Sequence, residues 1–160
     1  MAKEVKTNAI RILDREKIPY QLNLYECKEF IDGVHVADML SQPYECSFKT
    51  LVARGKTGGY YVYCAPIKEE LDLKKCAKAV GEKSVELIHV KEINSITGYI
   101  RGGCTPIGMK KRYPTVLHES ALKYPQIIIS AGRIGAQIFM NPNDLVRVTG
   151  AKTFDIILKN

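Results

Sequence analysis

Two adjacent glycines followed by a proline form the stretch of this sequence with the most evident capacity for chemistry. The run extends from Gly102 to Gly108 and reads Gly-Gly-Cys-Thr-Pro-Ile-Gly. Glycine allows backbone angles that are closed to other residues and lets a ligand approach the main chain. Proline fixes one φ angle and biases the residue before it toward extended geometry. The pattern predicts a stiff loop whose N–H groups can bind a carbonyl oxygen or an anion, with a plain turn as the alternative.

A lysine on the apolar face of a predicted strand is the second feature. Phe48–Arg54 is expected to form an inner strand that pairs with Tyr60–Ala65 as a hairpin. By the alternation of side chains in a strand, Lys49 shares a face with Leu51 and Ala53. A bare ammonium group is costly in apolar surroundings. Lys49 therefore either reaches water at the strand end or faces a polar pocket.

A second glycine-containing loop follows the most apolar predicted strand, Gln126–Ser130. This loop carries Gly132 and Arg133, and Ala136–Met140 is predicted to return as the antiparallel partner. Ligand pockets are often built where polar groups follow buried strands. If Lys49 with Thr50, the double-glycine loop and the Ser130 loop converge, they form a pocket with backbone donors, hydroxyls and two cations.

These groups are not accompanied by a general base. His35, His89 and His118 lie in unrelated contexts and are expected at the surface or in packing roles. Cys104 is a candidate nucleophile beside a backbone oxyanion site, but it has no histidine near it in sequence. Ser47 shares a strand face with Lys49, as a serine–lysine pair would, without further support.

The remaining composition restricts the class of protein. The chain has 160 residues and is predicted to form one domain over residues 1–160. Its five cysteines show no C-x-x-C spacing, which argues against a zinc site or a disulfide framework. No apolar run is long enough for a membrane span, and the first residues do not resemble a signal peptide, so a cytoplasmic location is expected. The net charge of +7 favours an anionic partner such as a nucleic acid.

Helices are expected on both sides of these motifs. The predicted helices are Thr7–Lys17, Val34–Leu40, Leu73–Val80, Lys91–Ile96 and Pro142–Val148, and further strands are Tyr20–Tyr25, Pro114–His118 and Thr153–Leu158. In the third helix, Leu73, Cys76, Ala77 and Val80 form the predicted buried stripe. The lysines of the same helix, Lys74, Lys75 and Lys78, are assigned to its outer face, as either a solvated surface or a surface that tracks phosphates.

Three of these motifs, in this order, resemble the YbaK/EbsC family, the free-standing relatives of the editing domain inserted in bacterial prolyl-tRNA synthetase. They are Phe48–Val52, Gly102–Gly108 and Ser130–Gly135. The resemblance extends from Lys6 to Leu158, and the opening helix and Tyr20 also fit. It implies an α/β (α+β) fold in which a curved, mixed, largely antiparallel sheet is flanked by helices in a single domain.

The resemblance also implies an activity and a site. Family members remove wrong amino acids from tRNA, and this chain is most similar to the branch of Cys-tRNA(Pro) and Cys-tRNA(Cys) deacylases. Lys49 matches the functional lysine, which is expected to position the tRNA 3′ end, and the double-glycine loop would hold the aminoacyl carbonyl. The implied substrate-binding residues are Tyr20, Phe30, Thr50, Gly102, Gly103, Pro106, Ser130, Gly132 and Arg133. Gln137 departs from the pattern, because relatives can carry an aspartate there, and this weakens any acid–base role at that position.

The family mechanism accounts for the missing base. The thiol of the substrate's own cysteine attacks its ester carbonyl, and the tRNA ribose leaves as a cyclic thiolactone forms. The resemblance therefore implies a hydrolase- or lyase-type reaction with no cofactor and no metal. The expected partner is the 3′ acceptor end of an aminoacyl-tRNA, prolyl-tRNA synthetase is a further candidate, and no membrane partner is expected. The alternatives are a deacylase for Ala-tRNA(Pro) or a broader set of aminoacyl-tRNAs, and a non-catalytic RNA-binding or regulatory module.

Overall fold

Over residues 6–27 and 29–159, which the computed structural model describes, the chain forms five α-helices, two short 3-10 helices and eight β-strands. The helices are α1 (Asn8–Arg15), α2 (Gly33–Met39), α3 (Leu73–Val80), α4 (Ile93–Thr97) and α5 (Pro142–Thr149), with 3-10 turns at Val90–Glu92 and Glu119–Lys123. The strands are β1 (Gln21–Leu24), β2 (Phe48–Gly55), β3 (Tyr60–Pro66), β4 (Val85–Leu87), β5 (Thr115–His118), β6 (Ile127–Ser130), β7 (Ala136–Met140) and β8 (Lys152–Phe154).

The helix boundaries follow from local capping chemistry. The Thr7 side chain accepts a hydrogen bond from the Ile10 N–H at the start of α1, and Asn141 caps α5 immediately before Pro142. Helices α3 and α5 end at Gly81 and Gly150, which both adopt the left-handed conformation that favours glycine. These short-range signals explain why the sequence predicts the helices well.

The strands form two sheets. The first has the order β4-β2-β3-β5-β8, with parallel pairing only at β3–β5 and β5–β8, and the second is the antiparallel sheet β1-β7-β6. The largely antiparallel arrangement and the inner position of β2 are confirmed. The two sheets meet at a single parallel bridge between Ser47 and Ile128. The sheet of the expected fold is therefore divided into two sheets, which are joined by main-chain pairing at this bridge and share a hydrophobic core in which Phe48 and Cys64 lie with Ile127 and Ile129.

Two packed layers hold the sheets in place. Helices α1 and α5 pack on the three-stranded sheet in a core that includes Leu13, Leu145, Ile138 and Ile107. Helix α3 packs on the five-stranded sheet through Cys76 and its neighbours. Strand β4 and the 3-10 turn at residues 119–123 were not predicted, and the last strand is shorter than predicted.

Helix α3 differs in part from its predicted pattern. Leu73 is exposed rather than buried, whereas Ala79 is buried. Lys75 does not lie on a solvated outer face, because its Nζ donates to Asp155 Oδ2 at 2.9 Å and to the Ile157 carbonyl at 2.8 Å. The prediction of a continuous lysine face on α3 is therefore wrong at Lys75, which instead ties the helix to the chain that follows β8.

Asp155→Asn should weaken this tie in a pH-dependent way. Hydrogen bonds from Lys75 and Lys159 hold the pKa of Asp155 below its ordinary value. The carboxylate therefore stabilises the fold above its unfolded pKa of about 3.9, and this stabilisation is lost as the pH falls through the lower folded pKa. We expect the substitution to cost about 1 kcal/mol of unfolding free energy at pH 7. Urea unfolding at a series of pH values should show the two proteins converging on acidification, and a difference that grows in acid would contradict this account.

Candidate active site

A cavity of about 400 Å³ lies between α2, the start of β2, the β6–β7 hairpin and the loop that follows α4. The predicted positions that line it are Lys49, Phe30, Thr50, Gly102 and Ser130. These residues come from all three sequence motifs and from the loop before α2. The three motifs, whose convergence the sequence left as a condition, therefore contribute to one pocket, but Arg133, one of the two cations expected in it, lies outside the lining.

Lys49 is half-buried in the wall of this cavity. Its Nζ donates to the Glu69 carbonyl at 2.5 Å and lies 3.4 Å from the Ile67 carbonyl. Burial lowers the pKa of Lys49, and the nearby carboxylates of Glu70 and Glu69 oppose that shift. Lys49 was expected either to reach water at the strand end or to face a polar pocket, and the structure shows that it faces the pocket. Main-chain carbonyls hold the ammonium group in position, and one N–H remains for a ligand.

The double-glycine loop is packed too tightly for side chains. Gly102 has a φ of 84°, and a Cβ atom there would lie 2.9 Å from Cδ2 of Phe30. A Cβ atom on Gly103 would lie 2.8 Å from the Cα of Arg133. The two glycine loops are thus in direct backbone contact, and glycine at both positions is a requirement of packing.

Tyr99 fixes the spacing between these loops. It is 6% exposed, and its hydroxyl donates to the Ile107 carbonyl at 2.6 Å. Cβ atoms placed on Gly108 and Gly132 would lie 3.0 Å from the Tyr99 hydroxyl oxygen and Cε1, respectively. A single buried ring therefore packs against both loops. The sequence reading did not identify this role.

The cavity offers several donors to a bound carbonyl. The Gly103 N–H is already used in the loop's own turn, where it donates to the Ile100 carbonyl at 2.9 Å. Among the residues that the structure describes, no hydrogen bond uses the N–H of Gly102 or Cys104, and both residues line the cavity. The Ser130 hydroxyl accepts a hydrogen bond from the Gly132 N–H at 3.2 Å. Its own proton remains available for a ligand.

The described lining of the cavity holds no histidine, and Asp32 is its acidic residue. The N–H and ring of His35 hold the pKa of Asp32 below its ordinary value, so this carboxylate is a weak base. Burial raises the pKa of Cys104 to about 11, which keeps the thiol protonated near neutral pH. Ser47 donates to the Pro43 carbonyl at 2.8 Å and is committed there. The geometry therefore favours neither Cys104 nor a Ser47–Lys49 pair as the nucleophilic centre.

The histidines have the surface and packing roles that the sequence predicts. His118 is 6% exposed and accepts a hydrogen bond from the Ser120 N–H, while His35 and His89 are exposed. Among residues 6–27 and 29–159, no group of three or more histidine, cysteine or acidic side chains is placed to hold a metal ion. Within the same residues, none of the helices has the length and apolar character needed to cross a membrane.

Several predicted binding positions lie outside the lining of the cavity. The Tyr20 hydroxyl donates to Asp14 Oδ1 at 2.7 Å. Pro106 borders a separate cleft of about 200 Å³. Gly103 and Gly132 pack inside the loops, and Arg133 is exposed. Direct roles in substrate binding remain predictions for all five of these residues.

The cavity lining also contains Gln42, which sequence reasoning missed, and Gln137, which it named only as a departure from the family pattern. Gln137 is 8% exposed and forms a reciprocal amide pair with Gln42, with donor–acceptor distances of 2.8 and 3.1 Å. Asn23 also donates to Gln137. The sequence signal for this amide cluster was a glutamine within the otherwise apolar strand β7. Leu87 and Val90 line the cavity as well. Leu87 ends strand β4, which was not predicted, and Val90 begins the 3-10 turn that follows this strand.

The fold thus brings exposed main chain, a hydroxyl and a half-buried cation together at one cavity. Residues 33–148 match the family model described as "Aminoacyl-tRNA editing domain". The chain belongs to this family, as the resemblance to YbaK/EbsC proteins implied.

A named relative supports this assignment, and two solved structures share the fold. The chain is 44% identical over 155 residues to the Enterococcus faecalis (strain ATCC 700802 / V583) protein named "Putative Cys-tRNA(Pro)/Cys-tRNA(Cys) deacylase EbsC", which covers 96% of this chain and 94% of that protein. The crystal structure of "a putative trans-editing enzyme for prolyl tRNA synthetase" matches with a TM-score of 0.81 at 24% identity, over 98% of this chain and all of that chain. The crystal structure of a hypothetical protein matches with a TM-score of 0.87 at 22% identity, over 95% of this chain and all of that chain. At these identities the two structures show a shared fold.

Proposed function

We propose that the protein is a trans-editing deacylase that removes cysteine from mischarged Cys-tRNA(Pro). Family membership and the name of the relative support this substrate. The observation that carries the proposal is the composition of the cavity. It combines a fixed cation and unpaired main-chain donors with a protonated thiol and a weak carboxylate. Such a site suits a substrate that brings its own nucleophile.

The chemical step balances without an added reagent. The sulfur of the esterified cysteine attacks its own carbonyl carbon, so that an S–C bond forms and the C–O bond to the ribose breaks. The proton of the thiol ends on the ribose oxygen, which leaves as a free hydroxyl of the tRNA. The amino acid departs as a cyclic thiolactone, which water then opens to cysteine. Alanine and serine carry no thiol and cannot follow this route.

The protein contributes geometry and electrostatics to this step. The N–H groups of Gly102 and Cys104 would donate to the carbonyl oxygen as negative charge develops on it. The Lys49 ammonium favours the thiolate form of a substrate thiol close to it. Buried apolar residues such as Val36, Phe48 and Ile129 form the inner wall and keep water from the ester. Holding thiol and carbonyl together supplies much of the rate.

Parallel assays of amino-acid release from Cys-tRNA(Pro), Ala-tRNA(Pro) and Ser-tRNA(Pro) test this function. We expect release from the cysteinyl substrate alone. A fourth substrate, S-methylcysteinyl-tRNA(Pro), has the same shape with a blocked thiol and should resist the enzyme. Release from the alanyl or S-methyl substrate would mean that water or an enzyme group attacks the ester. Binding of tRNA without cleavage of any ester would favour the non-catalytic module.

Cys104→Ala should keep deacylation within about threefold of the native rate. Burial raises the pKa of the Cys104 thiol to about 11, so this thiol is protonated and a poor nucleophile at neutral pH. Single-turnover release of cysteine measures the effect, and the unfolding midpoint shows whether the variant is folded. Loss of turnover in a folded Cys104→Ala protein would make Cys104 the nucleophile and overturn the substrate-thiol route.

The cellular context of this activity follows the same proposal. We expect residues 1–160 to act as one editing domain in the cytoplasm, where tRNAs are charged. Prolyl-tRNA synthetase is the proposed protein partner, since a structural neighbour is described as a trans-editing enzyme for that synthetase. Co-sedimentation of the protein with prolyl-tRNA synthetase, with and without tRNA(Pro), tests the partner. An absence of co-sedimentation in both conditions would contradict it.

A further inference from the structure

The opening of the cavity carries apolar side chains that face solvent. Leu87 is 45% exposed and Val90 is 54% exposed, although both line the cavity. Other lining residues, such as Val36 and Ile129, are buried and form its floor. The exposed members therefore mark the rim, and we call Leu87 and Val90 the apolar rim. Exposed apolar surface beside a ligand cavity is typical of a surface that a ligand covers.

An exposed cation lines the same cavity. The guanidinium carbon of Arg101 lies 3.9 Å from the centre of the Phe30 ring, and a Cβ atom on Gly102 would lie 2.9 Å from that ring. Among the described residues, Arg101 forms no hydrogen bond and no ion pair. Stacking on an aromatic face leaves the N–H groups at the edge of a guanidinium pointing outward. Arg101 is thus held in place while its fork of donors stays unused.

The two cations of the cavity differ in what they can bind. Lys49 is half-buried and tied to main-chain carbonyls, which suits it to the ester at the floor. Arg101 is exposed at the rim. Its planar fork matches a phosphate, which it can bind through two parallel hydrogen bonds. In an aminoacyl-tRNA the ester is attached to the terminal ribose, so the base and the 5′-phosphate of that nucleotide lie immediately outside the ester.

We propose that the rim is a subsite for the 3′-terminal adenosine 5′-phosphate unit of the substrate. The apolar rim contacts the adenine, and Arg101 pairs with the phosphate on the 5′ side of its ribose. Phe30 acts as a positioning residue that holds Arg101. This inference deepens the proposed function and rests on it. It assigns binding of the terminal nucleotide to residues outside the three sequence motifs.

Competition binding with three small probes tests the subsite directly. Adenosine 5′-monophosphate should bind more tightly than adenosine, and inorganic phosphate should bind least. Arg101→Ala should remove the advantage of the monophosphate over adenosine, an effect of about tenfold for a charge-assisted pair. Leu87→Ser and Val90→Ser should together weaken binding of both adenosine and its monophosphate by about tenfold, because the adenine loses apolar contact area. Leu122→Ser is the matched control, because Leu122 is equally exposed at 45% and lies outside the cavity lining.

Kinetics with substrates of decreasing length separate this proposal from the proposed function. Cys-tRNA(Pro), 3′-O-cysteinyl-adenosine and cysteine methyl ester share the reacting ester. Arg101→Ala should raise KM for the tRNA about tenfold, reduce its salt dependence, and leave cysteinyl-adenosine unchanged. The variants Leu87→Ser and Val90→Ser should raise KM for both nucleoside substrates but not for the methyl ester. Arg11→Ala, which removes an exposed arginine outside the cavity lining, controls for net charge.

The outcomes are distinguishable. If the native protein cleaves the esters but Arg101 and rim variants behave like the Leu122 and Arg11 controls, the nucleotide subsite is overturned and the deacylase stands. If the rim variants slow all three substrates equally, they act on the cavity itself, and the subsite is again overturned. If the native protein binds adenosine 5′-monophosphate through Arg101 but cleaves no ester, the nucleotide subsite stands and the proposed function fails.

Discussion

Lys49→Ala should reduce deacylation of Cys-tRNA(Pro) by at least about 100-fold, the effect typical of removing a preorganised charge from an active site. The ammonium group is a charged donor in the cavity wall, and it donates to the Glu69 carbonyl at 2.5 Å. Loss of the Lys49 side chain should leave the fold intact, because this side chain is only half-buried and an alanine can occupy the same position in β2. Single-turnover release of cysteine and the thermal unfolding midpoint measure both expectations.

Lys152→Ala is the matched control for this experiment. The Lys152 Nζ also donates to a main-chain carbonyl, that of Ala79 at 2.8 Å, but the residue lies on β8 outside the cavity lining. The control variant should keep a near-native rate, because it loses the same kind of bond without touching the site. A near-native rate in Lys49→Ala would remove the role assigned to this lysine, and an equal loss in both variants would point to a structural cause.

The pH profile gives a second readout for Lys49. Burial lowers the pKa of its ammonium group below the ordinary lysine value. A reaction that needs the protonated form should therefore lose rate as the pH rises through this lowered pKa, which lies below the ordinary lysine pKa of about 10.4. An uninterrupted rise in rate through that range would contradict the need for a protonated Lys49.

Gly103→Ala is the second substitution with a large expected effect. The added Cβ atom would lie 2.8 Å from Cα and 3.0 Å from C of Arg133, and main-chain atoms cannot yield as a flexible side chain does. We expect a loss of about 1–3 kcal/mol of unfolding free energy from this overpacking. The two loops must also move apart, and a shift of about 1 Å at reacting groups can cost about 100-fold in rate. Urea unfolding and single-turnover kinetics measure the two effects.

Gly59→Ala provides the comparison. A Cβ atom on Gly59 would lie 3.3 Å from the hydroxyl oxygen of Tyr61, the outer end of a side chain that can move, and the residue lies outside the cavity lining. This variant should keep near-native activity and lose little stability. If Gly103→Ala behaves in the same way, the backbone contact between the glycine loops does not set the geometry of the site.

The sequence by itself predicted the elements whose signals are local. The caps at Thr7 and Asn141 and the terminal glycines of α3 and α5 lie within a few residues of the structure they specify. The β2–β3 hairpin was predicted in the same way, because two strand-forming segments separated by a glycine-containing turn are enough to indicate a hairpin. Strand β4 was missed because it spans only Val85–Leu87 and forms by pairing with β2. Its stability comes from a neighbour distant in sequence.

The sequence also determined which chemical groups the site contains. The sequence contained a lysine, paired glycines and a hydroxyl that would form a pocket if they converged, and the resemblance to the editing family supplied the reaction. Only the tertiary structure decided how these groups are used. It ties Lys49 to carbonyls of the chain after β3, commits the Gly103 N–H to its own turn, and joins the glycine loops through Tyr99. These contacts link residues far apart in the chain, and their energies depend on distances of a few ångströms that no local pattern encodes.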